Sequence, residues 1–401
     1  MAREQPPDRA AQAIVVVHQQ QTWLRGHCTK AVPKPFLEQA GLLFGQTFGW
    51  SGPRVGCDAG GVLINVYATC RALPAPNFPL TVAAQRDRSD PALLPHLHGF
   101  MGFVMDGGKR PMTTTRYAVL RHLERVQHHL SLEVEDEHLE AFSAWALECN
   151  AITFLPDSSV RAPEGTVLVE AATGDADPTA LVPYPPDALA RKSRTDVALA
   201  QHGVQVPAGL PPVIAEVEVA LRAPREVAER CLALLLCALR AESLASENAI
   251  PVAELRAKMP LAWAATTPVE RAFLESEAPS RQEIVDHVWR YESLALLAWA
   301  VRVTAELPLP TAVCDVPGLA RAMFELDAEA FVRDARLRDV GVLLDALDLH
   351  FRLHWATTDA RLKKAPPPAG LEPGVVHERH HALNWLVRFE DAEWDEVATP
   401  T

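Results

Sequence analysis

The stretch Gly374-Val-Val-His-Glu-Arg-His-His-Ala-Leu-Asn-Trp-Leu386 decides the character of the second half of the chain. At 100° per residue, Val375, Val376, Ala382, Leu383 and Leu386, with Val387 just beyond, fall on one apolar stripe, which predicts an amphipathic helix facing a core. Working outward, the segments 227–242, 251–258, 268–274, 282–305, 316–324 and 328–362 carry the same three-and-four spacing, and from Pro224 onward strand signals vanish. An all-α domain over 213–398 follows.

Arg379 sits in the middle of that stripe, where an unpaired guanidinium would lose several kcal/mol of hydration. On the helix predicted over 282–305, Glu292 lies among Val285, Val288, Leu296, Trp299 and Val303, again a charge where a hydrophobe belongs. A bidentate Glu292 to Arg379 pair between two helices resolves both anomalies. The helix predicted over 328–362 has two apolar faces and is expected to thread the centre of the domain. Between those faces run two polar seams, Asp345, Asp348, Arg352 and Asp359 along one, His350, His354 and Arg361 along the other. Such seams suit either a salt-bridge network or a pocket for acid/base or anion-binding work, and the network is the favoured reading.

His377-Glu378-x-x-His381 has the spacing with which two histidines one turn apart share a zinc ion beside a general-base glutamate. Its wheel, however, places both histidines opposite the apolar stripe, on the face expected to be wet, and only Glu393 and Glu396 follow as third ligands. A solvated helical face is expected, with no metal and no cofactor. His350 and His354 also stand four apart, and they too are expected to be packed or solvated rather than ligated.

The first half mixes short β-branched runs at 14–17, 62–67, 152–155 and 167–169 with helical patterns at 36–44, 93–104, 117–130 and 139–149. The fold class is therefore α+β overall: a disordered 1–12, a small α/β domain over 13–172, a Pro/Gly-rich linker with a short helix over 173–212, then the helical domain. The glycines at 45, 49, 52, 56, 60 and 61 match neither a phosphate loop nor a dinucleotide fingerprint and read as a loop. His96, His98, His122, His128, His129 and His138 read as surface residues.

The bulk numbers exclude several classes. A net charge of -13 without a basic cluster argues against nucleic acid and anionic membrane as partners. No apolar run approaches the roughly 20 residues of a membrane span. Seven scattered cysteines, with no C-x-x-C pair, suggest free thiols and the cytoplasm.

The blocks Val227-Ala-Glu-Arg230, Trp289-Arg-Tyr-Glu292, Leu344-Asp-Ala-Leu-Asp-Leu349, Arg352-Leu-His-Trp355, Asp359-Ala-Arg-Leu362, Glu378-Arg-His380 and Ala382-Leu-Asn-Trp385 resemble the bacterial DUF4272 family over about half of the chain. In that family's last block no histidine is required at the place of His377, so the resemblance implies that the His-Glu-x-x-His is fortuitous. It implies no activity. It does single out Arg290, Glu292, Asp345, Arg352, His354, Asp359, Arg361, Glu378, Arg379, His380 and Asn384. The function expected is that of a non-catalytic interaction or regulatory protein with a protein partner and a buried polar network. The alternative is a metal-assisted hydrolase using Glu378, His380 and neighbouring Arg and Asp groups.

Overall fold

The computed structural model describes residues 61–401 as two compact units, the first ending at Tyr184 and the second running Pro185–Thr401. The readings at 1–12, 14–17, 36–44 and 45–60, with Cys28 and Cys57, lie outside the described residues.

The first unit is built on strands β1 (Gly61–Ala68), β2 (Thr81–Asp87), β3 (His128–Glu135), β4 (Ala151–Phe154), β5 (Val160–Arg161) and β6 (Val167–Val169). They form one sheet in the order β2-β3-β1-β4-β5-β6, antiparallel at every pairing, with β1 against β3 from Gly61↔Glu135 to Ala68↔His128. Period-two alternation sends Ile64, Val66, Ala68, Leu130, Leu132 and Val134 to one face, where they pack with Phe142 and Trp145 of α3 (Leu139–Glu148). Helices α1 (Leu93–Val104) and α2 (Thr114–Arg125) cover the other face, burying Leu97, Phe100, Val119 and Leu123 around Tyr67. Thr113 caps α2 by accepting from the Arg116 N–H.

Three strands, β2, β3 and the two-residue β5, are absent from the sequence reading, and the first two were missed for separable reasons. The helix expected over 117–130 stops at Arg125, because the alternation of Leu130, Leu132 and Val134 is buried between β1 and β2 and the sheet ladder outweighs helix periodicity. Strand β2 is an edge with no fully buried residue, so it carries no alternating apolar signal. The histidines expected on the surface also need correcting. Tyr67, Asn65, His129 and Ser131 share the α1/α2 face of the sheet, where Ser131 Oγ donates to Asn65 Oδ1 at 2.6 Å and Tyr67 Oη lies 3.1 Å from His96 Nε2. His122 and His129 are fully buried. Burial pushes His122 down to about 3 and His96 to about 4, so both rings are neutral at ordinary pH.

The second unit is helical: α4 (Pro186–Gln201), α5 (Pro224–Ala245), α6 (Val252–Lys258), α7 (Pro260–Ala264), α8 (Pro268–Glu275), α9 (Arg281–Val288), α10 (Arg290–Ala300), α11 (Val316–Phe324), α12 (Ala328–Asp334), α13 (Val340–Leu362) and α14 (Pro373–Leu386). Its main core gathers α5 with α9, α10, α13 and α14, through Leu234, Leu235, Leu294, Leu297, Leu344, Leu383 and Leu386. Two helices expected as single rods are each divided. The break between α12 and α13 has a tertiary cause: the Arg338 N–H donates to Ala300 O and its guanidinium to the carbonyls of Trp299, Thr304 and Ala305, holding 335–339 out of helix to tie off the end of α10. The helix inside the expected linker, α4, packs on α13, where buried Arg191 pairs with Asp345 at 3.0 Å, Asp187 at 3.2 Å and Glu216 at 3.3 Å. The Pro/Gly punctuation on either side of α4 thus flanks a helix anchored by charge to the helical unit.

Candidate functional site in the helical unit

The polar residues of α10, α13 and α14 divide into two groups with different surroundings. The first is sealed. Arg379 Nε and Nη2 donate to Glu292 Oε2 at 3.3 and 3.2 Å, its Nη1 donates to Pro308 O at 2.7 Å, and Glu292 Oε1 accepts the Cys314 N–H. Both side chains are at most 3% exposed, so the pair locks α10 to α14 and to the loop before α11. Arg352, fully buried on α13, donates to both oxygens of Asp348 at 2.9 and 3.0 Å and to Pro211 O at 3.2 Å, with Asp196 of α4 3.3 Å away. Arg230 of α5 and Glu270 of α8 make a third buried pair. Arg230 Nε, Glu270 Oε1 and Arg352 Nη1 keep no hydrogen-bond partner among the described residues, but the charges are paired, and none of these side chains lines the cleft that the second group faces.

The second group faces a cleft of about 840 Å³ lined by residues of α9, α10, α13 and α14, by Trp289 between α9 and α10, and by Ala365 and Pro367 of the segment joining α13 to α14. Glu378 is held at its wall, accepting from Ser293 Oγ at 2.8 Å and from Arg290 Nη1 at 3.1 Å. Arg361 lines the same space and makes no ion pair with any described residue. The charges along the wall, Asp286 and Glu378 against Arg290 and Arg361, cancel. Gly374 admits the Trp289 ring to the rim: a Cβ there would meet ring carbons at 2.6 to 3.0 Å.

Imidazoles dominate the floor. His354 Nδ1 of α13 lies 2.9 Å from His380 Nδ1 of α14, and the His354 ring stands 5.4 Å from that of His377 and 5.1 Å from that of His380, nearly perpendicular to each. Burial, then neighbouring His377 and Arg361, pushes His354 down to about 3; burial first, with the surrounding histidines, puts His380 well below its usual range. His381 is driven to about 3 by burial and then by Arg290. Two ring nitrogens, His350 Nε2 and His381 Nδ1, are buried without a hydrogen-bond partner among the described residues.

Residues 191–397 match the family described as Domain of unknown function (DUF4272). The chain belongs to the DUF4272 family. No curated protein and no solved structure matches the chain.

Within the DUF4272 domain the residues singled out from the sequence separate. Arg290, His354, Arg361 and Glu378 line the cleft, and His380 lies directly behind His354. Glu292, Arg352 and Arg379 belong to the sealed ties, and Asn384 secures the chain terminus by donating to Ala398 O at 2.8 Å. Asp345 and Asp359 answer other charges: Asp345, half exposed, receives Arg191 and Arg194, and Asp359 receives Lys363 at 2.8 Å. One expectation fails clearly. His377 is half exposed, but His381 is buried, because the turn at Trp394 folds back and stacks edge-on against its ring at 4.6 Å. The His-Glu-x-x-His therefore lies along a cleft rather than on an open face. Asp286, Trp289, Thr357, Thr358 and Gly374 also line it, and the sequence reading missed them. Only Trp289 carried a signal, as the first residue of the Trp289-Arg-Tyr-Glu292 block. Elsewhere, Glu135, Glu137 and His138 bring donor atoms within 4.8 Å of one another at the end of β3, as ordinary exposed acidic groups do.

Proposed function

We propose that the DUF4272 domain is a ligand-binding module of a non-catalytic regulatory protein, taking a small polar ligand into the cleft between α10, α13 and α14. One observation carries this reading: the buried charges that fix the helices are paired with one another away from the cleft, whereas Arg361 faces the cleft with no ionic partner among the described residues, beside His354 and the Arg290–Glu378 pair at the wall. Arg361 is the recognition group, a guanidinium at the wall with no partner of its own. The thiols of Cys149, Cys231, Cys237 and Cys314, none of them in a disulfide, support a cytoplasmic setting. The test is thermal unfolding of the full chain with inorganic phosphate, malonate and glycine as probes of anion and zwitterion binding. A probe-dependent rise in Tm that Arg361→Ala abolishes supports the reading; no rise with any probe counts against it.

A hydrolase is the second reading, favoured by the Glu378 carboxylate standing among imidazoles at the opening, where a general base would act. Its test is turnover of chromogenic esters and phosphoesters. Activity lost in Glu378→Gln with folding retained would select this reading over the first.

A further inference from the structure

The formal charges that line the cleft separate by partner. Arg290 and Glu378 answer each other at 3.1 Å between α10 and α14, and Glu378 also accepts from Ser293 Oγ. Asp286 of α9 and Arg361 of α13 are left over, and neither makes an ion pair with a described residue; Asp286 accepts from Gln282 Nε2 at 2.8 Å. Both side chains are exposed, so a ligand reaches them without moving the helices. A plain anion would answer Arg361 while meeting the like charge of Asp286, and a plain cation would do the reverse. A molecule carrying one charge of each sign answers both. We propose, on the footing that this cleft is the ligand site, that it binds a small zwitterion of the amino-acid class, with the ligand ammonium at Asp286 and Trp289 and the ligand carboxylate at Thr358 and Arg361.

Each end has the groups its charge requires. Asp286 and Trp289 stand three apart, and Trp289 continues the helical backbone at φ -61°, ψ -18°, so the two share a side. Trp263, Trp299, Trp385 and Trp394 each lie under an arginine guanidinium 4.3–5.0 Å from the ring centre. Trp289, seated against Gly374 at the rim, has no such cation among the described residues, and an indole beside a carboxylate is a seat for an ammonium. On α13, His354, Thr358 and Arg361 recur at spacings of four and three, the repeat of one helix face, and all three line the cleft. Arg361 offers the planar fork that takes a carboxylate bidentately, and the Thr358 hydroxyl adds a donor. Burial holds His354 down to about 3, so its ring is neutral and brings no second positive charge to this end.

The full chain is titrated calorimetrically with glycine, glycylglycine and γ-aminobutyrate, and with butyrate and butylamine as the anionic and cationic halves of the last. At least one zwitterion is expected to bind about tenfold or more tightly than either half, the size of one hydrogen bond to a charged group. Asp286→Asn and Arg361→Ala should each weaken that zwitterion by about tenfold or more, while Asp286→Asn leaves butyrate bound no more weakly than before. Both positions are exposed, so neither substitution threatens the fold. No zwitterion bound more tightly than butyrate and butylamine, or a preference that both substitutions leave unchanged, overturns the proposal. Butyrate, malonate or phosphate bound through Arg361 at least as tightly as the zwitterions would remove the zwitterion and keep the ligand cleft. No binding by any of these compounds would remove both.

Discussion

Removing one member of the Glu292 and Arg379 pair strands the other in a place where it is at most 3% exposed. Leaving an unpaired charge so deeply buried costs about 3–5 kcal/mol, which is a large share of a domain's stability. Arg379→Met leaves Glu292 with only the Cys314 N–H, and Glu292→Leu leaves the guanidinium with only Pro308 O. Replacing both removes both charges and leaves mainly the Cys314 N–H and Pro308 carbonyl unmet, at about 1–3 kcal/mol each. The double variant should therefore be more stable than the sum of the two single losses predicts, by about 3 kcal/mol or more. Urea unfolding followed by tryptophan fluorescence reports it, with Trp299 and Trp385 in the same core. Additive losses, or single losses under about 1 kcal/mol, would refute the claim that this pair holds α10 to α14 as a buried unit.

Acid should weaken the first unit in a defined window. The folded values of His122 and His96, about 3 and about 4, lie below the ordinary 6.5, so their contribution is complete above about pH 6.5 and declines as pH falls toward those values. Between pH 7.5 and 5.5 the unfolding free energy should drop by about 1.4 kcal/mol for each group, and His122→Phe should remove its share of the slope. Gly374→Ala should displace the Trp289 ring, costing about 1–3 kcal/mol of overpacking less the gain in helix propensity, and should shift the tryptophan emission. Trp394→Ala should cost about 3–5 kcal/mol and move the His381 titration, followed by NMR, up toward the usual imidazole range as water reaches the ring.

The sequence reveals the helical unit well because its strongest signals are violations of pattern. Glu292 and Arg379 each interrupt an apolar stripe, and burial makes their mutual pairing the economical solution. Strand β3 escaped because the Gln127-His128-His129 junction contains no Gly or Pro to separate a helix from the alternation that follows it. The α12/α13 break escaped because it is set by Arg338 reaching carbonyls some 33 to 39 residues away, which no local window contains. The cleft was half legible. Arg290, His354, Arg361 and Glu378 were singled out, but the wheel treated α14 as having one buried side, and Trp394 from beyond its end buries the other at His381.

The division between tie and cleft is tested most directly on two arginines of one helix. Arg352 is fully buried against Asp348, while Arg361, nine positions on, lines the cleft without an ionic partner among the described residues. Measured side by side, the unfolding free energy of Arg361→Ala should stay within about 0.5 kcal/mol of the native chain, and that of Arg352→Met should fall by about 3–5 kcal/mol. Comparable losses in both variants would contradict the assignment of Arg361 to binding and of Arg352 to the scaffold.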